Sequence, residues 1–197
     1  MNSQLLRFAT VFTGLAACSA LSLPAQSAPG PVGRTPNILF IMADDLGWMD
    51  LACQGNKLVE TPNLDRLAKQ GMRFTDAYAA APVCSPTRCA VMTGQAPARI
   101  GLTTHLPGLF FPKDGRPQPA KLVPQLNTEH VTIAERLKEA DYASAFLGKW
   151  HVAPGMGRGG KVADEVSPIG QGFDLNGGGT SYGGPPSFFS PYRNGEL

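Results

Sequence analysis

The chain has 197 residues, 17 of them Lys or Arg and 15 Asp or Glu, for a net charge of +2. That near-balance, with the basic residues scattered rather than in runs, offers no footing for nucleic acid, while 43% hydrophobic residues suffice for a buried core. With 23 Gly and 18 Pro the composition fits a loop-rich α/β protein of one ordinary domain rather than a disordered chain.

Residues 1–28 read as a secretory signal peptide: Arg7 supplies a weak positive end, an apolar run follows from Phe8 to Leu15, and small residues continue to Ala28. The apolar run is too short for a transmembrane span. Cleavage is expected near residues 25–28. The alternative is a lipid anchor at Cys18, because Leu15-Ala16-Ala17-Cys18 resembles a bacterial lipoprotein box. Either route delivers a periplasmic or secreted protein. Residues 29–36 form a Pro/Gly linker into the folded part.

Residues 37–43, apolar from Ile38 onward, stop at Asp44-Asp45, the pattern of a central strand in a mostly parallel sheet with two carboxylates at its exit. Open α/β sheets place ligands at such ends, and adjacent carboxylates can converge on one hard cation such as Ca²⁺; the plainer alternative is a turn with two solvated acids. Trp48 and Met49 read as packing residues. Thr61-Pro62 opens a helix with apolar 64, 67 and 68 that closes at Gly71, and residues 72–78 alternate as the next strand.

A small-residue run then leads to Val83-Cys84-Ser85-Pro86-Thr87-Arg88. Ser85 suits a helix cap, Pro86 the first helical position and Gly94 the end. Cys84 thus stands at a helix start, where backbone N–H groups favour negative charge, with Arg88 adding a cation one turn on. That suits an activated nucleophile or an anionic substrate, against the alternative of a buried structural cysteine. Residues 95–125 carry little periodic signal and read as a pocket-shaping loop, with His105 solvated. Thr132-Ile133-Ala134-Glu135 is a capping box opening a helix, and residues 142–147 read as a strand. That strand ends at Gly148-Lys149-Trp150-His151, where an extended backbone would turn Lys149 and His151 to one side and Trp150 to the other. The Gly-rich tract 153–184 reads as a linker or a glycine cradle, though no phosphate-loop spacing is present. Apart from Cys18, the cysteines are Cys53, Cys84 and Cys89, an odd count for an oxidising compartment, so one thiol is free, paired elsewhere or chemically changed.

The run from Cys84 to Arg88, continued by Met92-Thr93-Gly94, resembles the signature of the type I, formylglycine-dependent sulfatases, including arylsulfatases. Met92 replaces the more frequent leucine of that family, a volume-conserving change. The likeness extends in family order over residues 36–45, 61–74, 84–94, 148–151 and 172–174, roughly residues 36 to 197 in all. It implies an alkaline-phosphatase-like fold, a three-layer α/β sandwich with a mainly parallel sheet. It further implies that Cys84 is oxidised by a formylglycine-generating enzyme to formylglycine (3-oxoalanine), whose hydrate is the nucleophile. Asp44, Asp45 and the modified Cys84 would ligate calcium, Arg88 would hold the hydroxylate, Lys149 would lie against that group and the sulfate, and His151 would act as base.

The implied reaction is hydrolysis of sulfate monoesters of small molecules or glycans. Two alternatives remain: a phosphonate monoester or phosphodiester hydrolase of the same superfamily, and an inactive secreted remnant acting as a binding protein. The family's further Asp-Asn metal ligands and its second His and Lys have no counterpart before Leu197. Residues 37–197 are therefore expected to be the amino-terminal part of a catalytic domain, incomplete at the C-terminus and of little activity alone.

Overall fold

A computed structural model of the chain describes residues 35–108, 114, 118, 120–155, 162–181 and 184. The signal segment, Cys18 and most of the 29–36 linker lie outside the described residues. In chain order the elements are a 3₁₀ turn at Ala52–Gln54, helices α1 (Pro62–Gln70), α2 (Cys84–Thr93), α3 (Pro97–Ile100) and α4 (Ile133–Lys138), strand β1 (Ala145–Leu147), a 3₁₀ turn at Asp164–Val166, and strand β2 (Leu175–Gly177). The two strands pair in parallel, with Phe146 opposite Asn176. Parallel pairing requires a crossover connection, which here is the Gly-rich tract. In its described residues that tract is thus more than a linker. It supplies a strand, a 3₁₀ turn and the core residues Val162 and Val166.

Local chemistry explains most helix ends. Pro62 pre-sets α1, but Thr61 does not cap it with its hydroxyl. That oxygen instead accepts the Ala52 N–H at 2.9 Å and donates to Asp65 Oδ1 at 3.0 Å, while the same Asp65 oxygen accepts the Cys53 N–H at 2.8 Å. The helix start is spent on fastening the preceding 3₁₀ turn. In α4 the capping box is complete: Thr132 Oγ1 accepts the Glu135 N–H, and the Glu135 carboxylate accepts the Thr132 N–H at 2.7 Å. Thr132 Oγ1 also donates to the Gln171 carbonyl at 2.7 Å, which ties α4 to the segment before β2. Gly172, at φ +97°, lies so close that an added Cβ would come within 2.5 Å of Glu135 Cγ.

The core sits between α2, α3, β1 and the loops that follow them. Cys89, Met92, Ile100, Leu102, Leu106, Leu126, Phe146, Trp150 and Val152 are buried there. Phe146, Trp150 and Phe173 meet edge to face, with the Phe146 and Trp150 rings 5.0 Å apart, and the Trp150 indole N–H donates to the Val166 carbonyl at 3.0 Å. The expected 95–125 loop therefore contributes a short helix and two core leucines, Leu102 and Leu106, besides Ile100.

Two expected strands are absent. Residues 37–43 form no ladder, and Ile38, Leu39, Phe40 and Ile41, taken by themselves, are exposed. Residues 72–78 likewise form no ladder, with Met72, Phe74 and Tyr78 exposed. A strand needs a hydrogen-bonded neighbour, and among the described residues only β1 and β2 find one. The strand expected over 142–147 is reduced to its last three residues for the same reason. Trp48 and Met49 are exposed rather than packed.

Candidate active site

Helix α2 carries the site's first two members. It begins at Cys84 itself, two residues earlier than the sequence pattern predicts, with Val83 rather than Ser85 at the cap. Ser85 is buried and uses its Oγ to accept the Leu106 N–H at 3.0 Å, so it is not free to cap. Gly94 closes the helix as expected, at φ 67° with its N–H on the Ala90 carbonyl. Cys84 is half-buried with a free thiol, and Arg88 follows one turn later on the same face.

Arg88 is the hub. Only 8% of it is exposed, and its guanidinium reaches two other segments. One NH₂ group donates to Asp44 Oδ1 at 3.0 Å and the other to the Lys149 carbonyl at 2.5 Å, while its Nε is buried without a partner. Lys149 Nζ donates to the second Asp44 oxygen at 2.5 Å. Asp44 therefore bridges two cations. Burial alone would raise its pKa, but the hydrogen bonds from Lys149 and Arg88 and their charges outweigh that and hold the carboxyl below its ordinary value.

The turn after β1 delivers Lys149 and His151 on either side of Trp150, whose burial in the core anchors the segment. The backbone at His151 is left-handed, with φ 53°, rather than extended as the alternation argument assumes. That conformation costs a non-glycine residue about 1–2 kcal/mol. It is fixed by its neighbours: the His151 N–H bonds the Thr180 carbonyl, and Leu126 donates to the Val152 carbonyl at 2.7 Å. The imidazole is buried, with Nε2 2.9 Å from the Leu106 carbonyl and Nδ1 without a partner. Burial pushes its pKa below the ordinary value; the Leu106 bond opposes this, and the charges of Lys149, Arg88 and His105 add to the fall. Near neutral pH the ring is an uncharged base.

The structure thus brings Asp44, Arg88 and Lys149 into direct contact, with His151 in their electrostatic field and Cys84 one helical turn away. It gives Asp45 no such place. That residue turns back in a left-handed conformation, φ 53°, and has no hydrogen-bond or ion-pair partner among the described residues.

Residues 36–187 match the sulfatase family. This chain belongs to that family. The pig (Sus scrofa) N-acetylgalactosamine-6-sulfatase is 39% identical over 182 residues, which cover 89% of this chain and 30% of that protein. Mouse (Mus musculus) steryl-sulfatase is 44% identical over 158 residues, covering 77% of this chain and 23% of that one. Among solved structures, that of Ps i-CgsB superposes with a TM-score of 0.58 at 36% identity, over 74% of this chain and 29% of its own. The same protein in complex with k-i-k-neocarrahexaose gives a TM-score of 0.52 at 34% identity, over 69% and 26%. This sulfatase chain accordingly has an α/β fold of the alkaline-phosphatase-like class, and it spans less than a third of the length of the relatives it matches.

For a calcium ion the donors of the sulfatase chain fit in kind. Asp44 and Asp45 carry adjacent carboxylate oxygens of the type Ca²⁺ prefers, although both Asp44 oxygens here accept from Arg88 and Lys149. They fall short in number, since Ca²⁺ takes about 6–8 oxygens. Among the described residues no three His, Cys, Asp or Glu side chains cluster. Sequence reasoning also missed two groups that the structure joins to the site, the Ser85 hydroxyl and the Leu106 peptide. Ser85 was readable as a small polar residue beside Cys84, but its helical position suggested a cap. A backbone carbonyl such as that of Leu106 leaves no trace in a side-chain pattern.

Proposed function

We propose that this chain is the amino-terminal part, residues 37–197, of the catalytic domain of a secreted or periplasmic sulfatase that hydrolyses sulfate monoesters of glycans or aryl alcohols. The observation that carries this reading is the Asp44–Arg88–Lys149 cluster one helical turn from Cys84, with a buried neutral imidazole in its field. A sulfate monoester brings a dispersed negative charge, and Arg88, Lys149 and the N-terminus of α2 offer fixed positive potential to receive it. The relatives named for sulfatase action on N-acetylgalactosamine 6-sulfate and the neighbour solved with a neocarrahexaose favour carbohydrate sulfates. The signal-like residues 1–28, or lipidation at Cys18, would carry the chain out of the cytoplasm.

In this reading a formylglycine-generating enzyme converts Cys84, and the hydrated aldehyde supplies an oxygen nucleophile with a second hydroxyl for later release. Arg88 orients and charge-stabilises that oxygen from one turn away, Lys149 neutralises the sulfate, and His151 takes up a proton as a neutral base. Asp44, Asp45 and the oxygen on residue 84 would hold part of a calcium shell, and the ion would supply Lewis-acid stabilisation of the anionic oxygens.

Mass analysis of the Cys84 peptide after co-expression with a formylglycine-generating enzyme tests the reading. Exchange of the sulfur for a carbonyl oxygen is expected; an unchanged thiol would overturn the formylglycine assignment and favour a binding remnant. Rates on an aryl sulfate against an aryl phosphodiester, measured on the longest product of the gene, separate a sulfatase from a phosphodiesterase. The 197-residue chain alone is expected to turn over little aryl sulfate, because its calcium donors are incomplete, and robust turnover would refute that.

A further inference from the structure

Three groups in sequence order far apart form one buried line: the Ser85 hydroxyl, the Leu106 peptide and the His151 ring. The Leu106 N–H donates to Ser85 Oγ at 3.0 Å, and its carbonyl lies 2.9 Å from His151 Nε2. A carbonyl oxygen can only accept, so the hydrogen of this bond must sit on Nε2. A neutral imidazole carries one ring hydrogen, and the other nitrogen then holds a lone pair. That nitrogen, Nδ1, is buried and has no partner among the described residues, in a side chain only 6% exposed. A buried polar atom without a partner marks a place where something is meant to arrive. Ser85 is fully buried and holds the N–H of the same residue, Leu106, whose carbonyl meets the ring.

We propose that Ser85 is a positioning residue: by holding the Leu106 N–H it steadies the Leu106 backbone, whose carbonyl fixes His151 as the Nε2–H tautomer and leaves Nδ1 as the nitrogen that accepts a proton in the site. The use of that proton acceptor rests on the reading given under Proposed function; the tautomer and its dependence on Ser85 do not. Ser85 touches no reacting atom. Its effect passes through Leu106: the N–H and the C=O lie on adjacent peptide planes joined at the Leu106 Cα, and with the Leu106 side chain buried in the core, pinning the first plane limits where the second can aim. Burial and the neighbouring charges of Lys149 and Arg88 favour the neutral ring.

Long-range ¹H–¹⁵N NMR of the ¹⁵N-labelled chain at neutral pH reads the tautomer directly. The chain has three histidines, so the His151 signals are assigned by their loss in His151→Gln. In the wild type, Nε2 is expected at a protonated and Nδ1 at an unprotonated ring-nitrogen shift. In Ser85→Ala the two shifts should move toward each other as both tautomers populate, and Leu106 amide exchange should quicken at least about fivefold, as for one lost hydrogen bond. Ser85→Thr, which keeps the hydroxyl, should restore both. A wild-type His151 protonated on Nδ1 would overturn the proposal even if Ser85→Ala failed to fold, and so would unchanged His151 shifts in a folded Ser85→Ala. Should Cys84 prove unmodified while His151 shows the expected tautomer, the reaction reading falls and this one stands.

Discussion

Asp44 accepts from Arg88 on one oxygen and from Lys149 on the other, so removing its charge leaves two cations facing each other without an anion. Breaking a wholly buried pair costs several kcal/mol, but the Asp44 side chain is 35% exposed and solvent screens part of that. Asp44→Asn is expected to cost about 1–2 kcal/mol in urea denaturation. The pH dependence follows in sign. Asp44 has a lowered folded pKa, so its contribution is present above the ordinary 3.8 and is lost as pH falls through the folded value. His151 is also lowered, from 6.5; the unfolded chain takes up its proton first, and stability declines as pH drops below 6.5 through the folded value. Denaturation at a series of pH values should show both declines in the wild type; in Asp44→Asn the lower one should shrink but not vanish, because the Ser144 N–H and Lys138 also hold Asp174 below the ordinary value. A thiol reagent gives a separate check. Burial drives the Cys89 pKa up to about 12 and the residue is fully enclosed, whereas Cys53 and Cys84 are half-buried and free. Native protein should label at Cys53 and Cys84, and at Cys89 only on unfolding.

Among the elements, α4 is held at its start by one threonine. Thr132 caps the helix and reaches the Gln171 carbonyl, so Thr132→Ala removes a cap and leaves a carbonyl unpaired, for an expected loss of about 2 kcal/mol by thermal or urea melts. The same junction distinguishes two glycines with positive φ. At Gly94 an added Cβ meets nothing within 4 Å, and Gly94→Ala should cost only the strain of a left-handed alanine, about 1 kcal/mol. At Gly172 it meets Glu135 Cγ at 2.5 Å and the Glu135 backbone N at 2.9 Å, so Gly172→Ala should cost clearly more. Helices α1, α2 and α4 were legible in the sequence because caps, prolines and terminal glycines act within a few residues of themselves. The meeting of Asp44, Arg88 and Lys149 was legible as chemistry, since these residue types in that order resemble one family's site. The strands at 37–43 and 72–78 were not, because an apolar or alternating run states only a readiness to pair, and pairing needs a neighbour elsewhere in the chain. The left-handed His151 was hidden for a similar reason: its conformation is imposed by Thr180, Leu126 and the buried Trp150 rather than by its own preference.

For the molecule as a whole, the apolar residues that the described fold leaves outside are as telling as those it buries. In the part from Met42 onward, α1 buries none of its residues, Leu64 and Leu67 are exposed, and so are Met72, Phe74, Tyr78, Leu147 and Leu175. Monomeric soluble proteins seldom leave so many large apolar side chains in water. The matched relatives are more than three times as long as their aligned parts, and in the proposed full-length sulfatase the additional chain would complete the sheet beside β1 and β2 and cover α1. Such a surface has a consequence for the 197-residue chain in solution. Each exposed Leu or Phe forgoes about 1.5–3 kcal/mol of possible burial, a standing drive toward any apolar partner. The chain should therefore bind a hydrophobic dye strongly and sediment as associated species whose size rises with concentration. Leu67→Glu with Phe74→Ser should weaken both effects while leaving α1 intact, since neither side chain is buried in it. A dye-silent wild-type monomer at high concentration would show that these faces are already covered, and with that the proposal of a missing covering segment would fail.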